Sequence, residues 1–427
     1  MTRVAALVTG LDGLFLPPSV TSFALARAGM PEARWAAEAW PDRALPYRPR
    51  GSWDTTETLL IDSDIAAVMA RRGVSNLLLT TSVTPMIRAW ANAHDIRLWM
   101  SPYNQQLELE DKIHFHRWCA SQGLPTPPGQ ACTLSSALPV PLPLVVQTRR
   151  SMGGEGTWIV RDAAALARLG QVRALRGGAE VLVRSWIPGR PCGVSVMVTP
   201  DQVALSAVRL QCFQPLAGAR SLLFAGVQWL PTASLSRALA ARVEAVMLRL
   251  GAALHARRFV GVANVDFIAS GDDVLLLECN PRLSAATPQV LRHRELMTPD
   301  AGELLLSCYV SPPPRAERPA LHGLPDSAFE GATMDLITPP AFRRSKVSGA
   351  PRSGCYTPDA SERLRGDLRW AGGDDLCFVA LAQPGEIVGP EETLGTVTCT
   401  RRLYDDSGEM LPVTSVISDN LMFNYSK

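Results

Sequence analysis

The chain has 427 residues, enough for two or three domains with substantial cores. Hydrophobic residues make up 47%, charged residues 19%, and the formal net charge is +2, the profile of an ordinary soluble globular protein. Only Lys112, Lys346 and Lys427 are lysines, and no dense basic run with interleaved aromatics occurs, so the arginine bias reads as base composition and no nucleic-acid partner is expected. The nine cysteines lack CxxC or Cys/His ligand spacing, which indicates neither a zinc site nor a disulfide framework and suits a reducing cytoplasm. No segment has the uninterrupted apolar length of a membrane helix, so no membrane association is expected.

The N-terminus MTRVAALVTGLDGLFLPPSV imitates a secretion signal in its Arg3 and apolar run, but Asp12 and Gly13 interrupt it. A first β-strand entering a glycine turn is the better reading. Residues 1 to about 105 alternate short apolar runs with helical patterns (VAALVTG, SVTSFALARAG, TLLIDSDIAAVMARRG, VSNLLLTTS, then MIRAWANAHD), which predicts a small doubly wound parallel sheet. Gly10 and Gly13 do not complete a G-x-G-x-x-G fingerprint, so no dinucleotide is expected.

From Asp111 to Gly123 the periodicity is helical, and TPPG breaks it. His114 and His116 at i, i+2 point to different faces and are not a metal pair. ALPVPLPLVVQ leads into a strand ending near Gln147. SMGGEGT follows, with Gly153, Gly154 and Gly156 able to bring backbone N–H groups against phosphate oxygens. EVLVRSWIPGRPCGVSV reads as strand, turn with Pro188 and Gly189, and strand. Arg209 in AVRLQC could meet a substrate carboxylate, although an exposed strand arginine is the plainer expectation. Beyond residue 310, SPPPRAERPALHGLP reads as a linker and the remainder as short strands. PGEIVGPEETLG has the turn spacing of biotin-carrier modules but no lysine to be biotinylated.

The most informative stretch is GVANVDFIASGDDVLLLECNPRLS. Alternation around Val265, Phe267, Val274 and Leu276, with GDD as the reversal, predicts a hairpin carrying Asp266 on one strand and Glu278 and Asn280 on the other. Two carboxylates and an amide oxygen form a hard, all-oxygen set suited to Mg2+ shared with substrate phosphates. Arg282 adds a planar fork for a phosphoryl or carboxylate oxygen. Asp272 and Asp273 are ordinary turn acids.

The run of an acid followed by Leu276-Leu277-Glu278-Cys279-Asn280-Pro281-Arg282 resembles the ATP-grasp superfamily, which includes biotin carboxylase, D-alanine:D-alanine ligase and amino-acid ligases. Three upstream signals agree in order: an Asp-Lys pair opening a helix that ends in G-x-P-x-P, a strand entering a glycine-rich loop, and a strand followed by W-I-P-G. The resemblance implies an α/β ATP-grasp fold in three parts. These are an N-terminal doubly wound α/β domain (1–108) that helps bind the carboxylate or amine, an ATP-grasp domain (109–310) with its lid at roughly 130–200, and a small β-rich C-terminal domain (311–427).

It further implies ATP and Mg2+ as cofactors, Asp266, Glu278 and Asn280 as metal ligands, and Lys112 and Arg282 as catalytic cations, Lys112 also reaching nucleotide phosphate. Gly153, Gly154 and Gly156 of the loop and Arg184, Ser185, Trp186 and Ile187 of the hinge would contact the nucleotide. This chain departs from the family at Gln147, where lysine is usual, and at Arg184 and Pro191, where acids commonly face the adenine and ribose. Arg149 or Arg150 could supply the missing cation. The activity implied is ATP-dependent carboxylate–amine ligation through an acyl phosphate, on amino-acid-like small molecules of specialised metabolism. The alternatives are a homologue with altered or lost catalysis and a carboxylase-type relative activating bicarbonate. A homodimer is the partner expectation beyond the small-molecule substrates. RLSAATP departs from the NPRLGG form of dipeptide ligases at Ser284, Ala285 and Ala286.

Overall fold

The computed structural model describes residues 2–7, 20–27, 37, 42–48, 56–79, 81–133, 139–151, 153–154, 156–169, 172, 175, 178–215, 222–310, 314–339, 342–347, 353–365, 376–382 and 385–425. Gly10, Asp12 and Gly13 of the first turn, Met152 and Glu155 of the glycine cluster, and residues 311–313 of the expected linker lie outside these.

Five strands, β1 (Thr2–Leu7), β2 (Val20–Arg27), β3 (Ala44–Tyr47), β4 (Asn76–Leu78) and β5 (Arg97–Trp99), pair in parallel in the order β3-β2-β1-β4-β5. The order reverses at β1, as expected of a doubly wound sheet. Within SVTSFALARAG the structure has strand β2 beside β1. Ala5, Leu25, Leu45 and Leu77 pack with Leu60, Ile65, Met69 and Ile87 of the covering helices.

The helix Lys112–Ser121 follows, capped by Asp111, whose carboxylate accepts from the N–H groups of Ile113 and His114. Next, β6 (Gly129–Thr133), β7 (Leu144–Thr148), β8 (Thr157–Val160) and β9 (Glu180–Ser185) make a separate antiparallel sheet, β6-β9-β7-β8. The large sheet begins with β10 (Arg190–Val198), β11 (Gln202–Leu205), β12 (Arg209–Pro215), β13 (Leu222–Trp229), β14 (Gly261–Ser270) and β15 (Asp273–Asn280). Its path runs β15-β14-β10-β12-β13 and continues, without a break in pairing, into Ala332–Ile337, Thr393–Cys399, Leu376–Ala380, Gly354–Tyr356 and Arg363–Arg365. The sheet therefore crosses the boundary expected near residue 310.

One face is covered by the helix Arg237–Ala256, started by Ser236, whose hydroxyl accepts from the Leu239 N–H. Leu239, Val243, Val246, Met247, Leu250 and Leu254 recur at helical spacing and are buried against β10 and β11. Each such side chain contributes about 1.5–3 kcal/mol by burial. Gly251 lets the backbones approach: a Cβ there would lie 2.4 Å from Val203 Cγ1. No helix among the described residues is long and apolar enough to cross a membrane.

Candidate active site

The β14–β15 hairpin positions the acids, and a bulge decides which way they face. Ile268 pairs with Leu275 and Phe267 with Leu276, but Asp266 then pairs with Glu278, leaving Leu277 as the extra residue. An unbroken register would set Glu278 opposite Val265, on the other face of the sheet. The bulge instead sets Asp266 and Glu278 directly across from one another, with Asn264 opposite Asn280 two residues on, and all four on one face. The displaced Leu277 carbonyl accepts from Arg184 Nη1 at 3.1 Å.

Lys112, at the start of its helix, reaches this face. Its Nζ lies 3.0 Å from Glu278 Oε2, 3.0 Å from the Ser151 carbonyl and 3.2 Å from Ser151 Oγ, and the residue is only 4% exposed. The same ammonium thus joins the central helix, the entry to the glycine loop and the acidic strand. Asn280 Nδ2 donates to Glu278 Oε1 at 3.2 Å, and Arg282 Nη2 donates to Asn280 Oδ1 at 3.3 Å. Glu110 braces Arg282, with Oε1 3.4 Å from Nε.

These contacts separate the two acids. Burial pushes Asp266 up to about 7, the Glu278 charge adds to the rise, and Arg209 opposes it. Burial would also raise Glu278, but the Lys112 ammonium and then the Asn280 amide hold it below its ordinary value. Among the described residues no group of three or more His, Cys, Asp or Glu could hold a metal by itself. Asp266, Glu278 and Asn280 offer two carboxylates and one amide oxygen, an incomplete oxygen set. That fits Mg2+, which completes its octahedron with water and phosphate oxygens.

These residues line a cavity of about 660 Å3 that also takes in Gln147, Gly153, Gly154, Arg184, Ser185, Trp186 and Ile187. Gly153 and Gly154 adopt positive φ (60° and 84°), and the Phe224 N–H donates to the Gly153 carbonyl at 3.2 Å, so the glycine loop rests on β13. Gly156 is not in the wall; it packs where a Cβ would meet Thr148 Oγ1 at 2.2 Å. At the hinge, the N–H groups of Ser185 and Trp186 donate to the carbonyls of Pro128 and Pro143.

Two expectations require correction. Arg149 and Arg150 do not reach the cavity. Arg149 is held by Asp111 at 2.8 Å and Glu180 at 2.7 Å, and Arg150 donates to the Leu107 carbonyl at 3.0 Å. The cation beside Gln147 is Arg184, 2% exposed, whose Nη2 donates to Gln147 Oε1. Gln147 in turn donates to Thr157 Oγ1 at 3.2 Å. Where lysine was expected from the resemblance, this chain therefore has a Gln–Arg pair spanning β7 and β9.

Arg209 is likewise not exposed. It is 3% exposed and lies in the cavity wall, where Nη1 donates to Ser195 Oγ at 3.1 Å and Nη2 to Asn264 Oδ1 at 3.3 Å. The only sequence signal for it was its basic residue type in a strand whose other polar residues are uncharged. Gln211, Phe213, Phe224 and Val227 from β12 and β13 also line the cavity. So do Thr333, Cys377, Val379, Thr396 and Thr398 from the C-terminal strands, none of which the sequence singled out. Cys377 pairs with Thr398, Val379 with Thr396, and Thr333 with Thr398, so these five share one face.

Residues 109–286 match the family model for the ATP-grasp domain. The large chain of carbamoyl phosphate synthase from Thermus thermophilus is 29% identical over 203 residues, 46% of this chain and 19% of that protein. The match thus spans about a fifth of the length of the curated relative. The biotin carboxylase domain of 2-oxoglutarate carboxylase from Hydrogenobacter thermophilus, a dimer bound to MgADP, ADP and bicarbonate, superposes with a TM-score of 0.63 at 12% identity, covering 93% of this chain and 86% of that one. N5-carboxyaminoimidazole ribonucleotide synthetase from Thermus thermophilus superposes with a TM-score of 0.55 at 18% identity, covering 99% of both chains. At such identities the likeness is one of fold.

Proposed function

We propose, from the match of residues 109–286 to the ATP-grasp domain, that the chain is an ATP-dependent ligase that joins a carboxylate to an amine. ATP and Mg2+ are its cofactors in this reading, as MgADP is for the Hydrogenobacter thermophilus domain. The observation that carries it is the Lys112–Glu278 contact of 3.0 Å, which unites the helix-opening lysine with the Glu278–Arg282 motif over one cavity.

In the reaction, a carboxylate oxygen takes the terminal phosphoryl group of ATP and ADP departs. An amine nitrogen then attacks the acyl carbon, its proton is lost and phosphate leaves. Mg2+, held by Asp266, Glu278 and Asn280, would supply charge neutralisation on the phosphates. Lys112 holds the ammonium that faces transferring phosphoryl oxygens, and Arg282, fixed by Glu110 and Asn280, presents its guanidinium to the reacting acyl group. Gly153 and Gly154 offer backbone N–H groups over the phosphates, while Trp186 and Ile187 wall the base. Amino-acid-like substrates of specialised metabolism, an ATP-grasp unit over 109–310 and a homodimer complete the reading.

The test is release of ADP and phosphate from ATP against a panel of amino acids and related acids and amines, followed by mass spectrometry of the product. An amide product supports ligation. ATP use that needs only bicarbonate would support the carboxylase-type alternative, and MgATP binding without turnover on any acid would support a homologue of altered catalysis.

A further inference from the structure

Arg209 is the buried cation that the nucleotide reading leaves without a task. It arrives at the acidic strands because the strand between them has no side chain: Gly193 on β10 pairs with Arg209 on one side and Asp266 on the other. A Cβ at Gly193 would lie 3.1–3.2 Å from three guanidinium atoms, so the fork lies flat over that glycine toward β14. There its hydrogen-bond partners are neutral oxygens, Ser195 Oγ and Asn264 Oδ1, and the acid it faces electrostatically is Asp266. Asn264 also accepts from Ser284 Oγ at 3.2 Å and donates to the Arg282 carbonyl, tying Arg209 to the loop that carries Arg282. Removing a guanidinium from water costs several kcal/mol, and neutral acceptors recover only part of that. A cation held in this way, in a cavity wall, is arranged to meet an anion.

Beyond Arg209 the cavity changes character. Phe213, Phe224, Val227, Cys377 and Val379 form a mainly apolar chamber, with Thr333, Thr396 and Thr398 interleaved between the β13 residues and Cys377 and Val379 on the same face. We propose, building on the ligase reading above, that Arg209 and Arg282 together hold the carboxylate group of the substrate, and that this chamber receives an apolar side chain attached to it. The C-terminal strands then select the substrate, with Arg209 acting as a binding residue. A planar fork can address both oxygens of a carboxylate, which lysine cannot do.

The test is calorimetric titration of the full chain, with MgADP present, using acetate, butyrate, hexanoate and 3-phenylpropionate and their primary amides. The parent protein should prefer each acid to its amide by about tenfold or more. Its affinity should rise about fourfold per added methylene until the chamber is full. Arg209→Lys should abolish most of the acid preference and keep the chain-length trend. Gly193→Ala, which crowds the fork but retains it, should weaken acid binding by a smaller factor. Val379→Trp should keep the acid preference and abolish the gain from longer chains. Equal binding of acids and amides, acid preference surviving in Arg209→Lys, or failure of every acid to bind would overturn the proposal. Circular dichroism and MgADP affinity identify a variant that has merely misfolded, in which case Gly193→Ala and Val379→Trp decide. If MgADP binds but no acid does, only this proposal falls; if acids bind as described but MgADP and MgATP do not, only the ligase reading falls.

Discussion

The two halves of the cavity are built on different terms. Around Lys112, Glu278, Asn280 and Arg282, charged groups are matched one to another at 3.0–3.4 Å, and each comes from a short motif. Around Phe213, Phe224, Cys377 and Val379 the wall is mainly apolar with interspersed threonines, and its residues come from strands far apart in the chain. In the proposed reading the first half requires particular residue types, because phosphate and metal chemistry accepts few substitutes. The second requires a shape, which many residues could provide.

The sharpest way to break this contrast is Glu278→Gln. It removes one metal charge and the partner of a buried ammonium while keeping the volume, and turnover should fall by about 100-fold or more. Steady-state ADP release at ordinary magnesium measures it, and undiminished turnover would remove the nucleotide assignment.

Gln147→Lys comes next. The new ammonium would lie against the buried Arg184 guanidinium in place of the oxygen that now accepts from it. Loss of a hydrogen bond to a charged group costs roughly 1.5–3 kcal/mol before any like-charge repulsion. Denaturant melts should show that loss, and MgADP affinity should fall about tenfold or more. A gain in affinity would instead mark the chain as a decayed relative in which lysine restores a missing contact.

Arg149→Ala should do little. Its partners Asp111 and Glu180 hold it in a half-exposed pairing, worth about 0–1 kcal/mol in solvent. Nucleotide affinity should change by less than about threefold; a larger loss would return Arg149 to the phosphate site.

A separate effect, on stability alone, concerns Asp335, on the strand Ala332–Ile337 beside Thr396. Burial raises it to about 6, partly offset by the hydrogen bond from Thr396 Oγ1 at 3.1 Å. The folded protein therefore holds a proton there that the unfolded chain, with an ordinary carboxylate near pH 4, releases. Stability contributed by this group falls as pH rises from about 4 to about 6 and is flat above. Asp335→Asn should remove that slope, with melting temperature above pH 6 higher by about 2 °C. An unchanged pH profile would show that Asp335 is solvated.

Much of the fold was legible in the sequence. The parallel alternation before residue 105, the Asp111-capped helix and the acid-bearing hairpin all follow from local periodicity and turn chemistry. So does the grouping of Asp266, Glu278, Asn280 and Arg282, because a hairpin brings neighbouring strands together whatever surrounds it. Even there the run Leu275-Leu276-Leu277-Glu278 conceals the bulge at Leu277, since three consecutive leucines carry no period that reveals which one is displaced. Only the tertiary structure decided which arginines serve the cavity. Arg149 and Arg150 stand next to the glycine loop in sequence yet are drawn off by Asp111, Glu180 and the Leu107 carbonyl. Arg184 and Arg209, each buried within a strand, line the cavity. Pairing of β13 with Ala332–Ile337 likewise turned an expected separate module into a wall of the site. The physical reason is common to these cases: periodicity states which face of an element is buried, whereas the partner that buries it is chosen by long-range pairing, which no local pattern records.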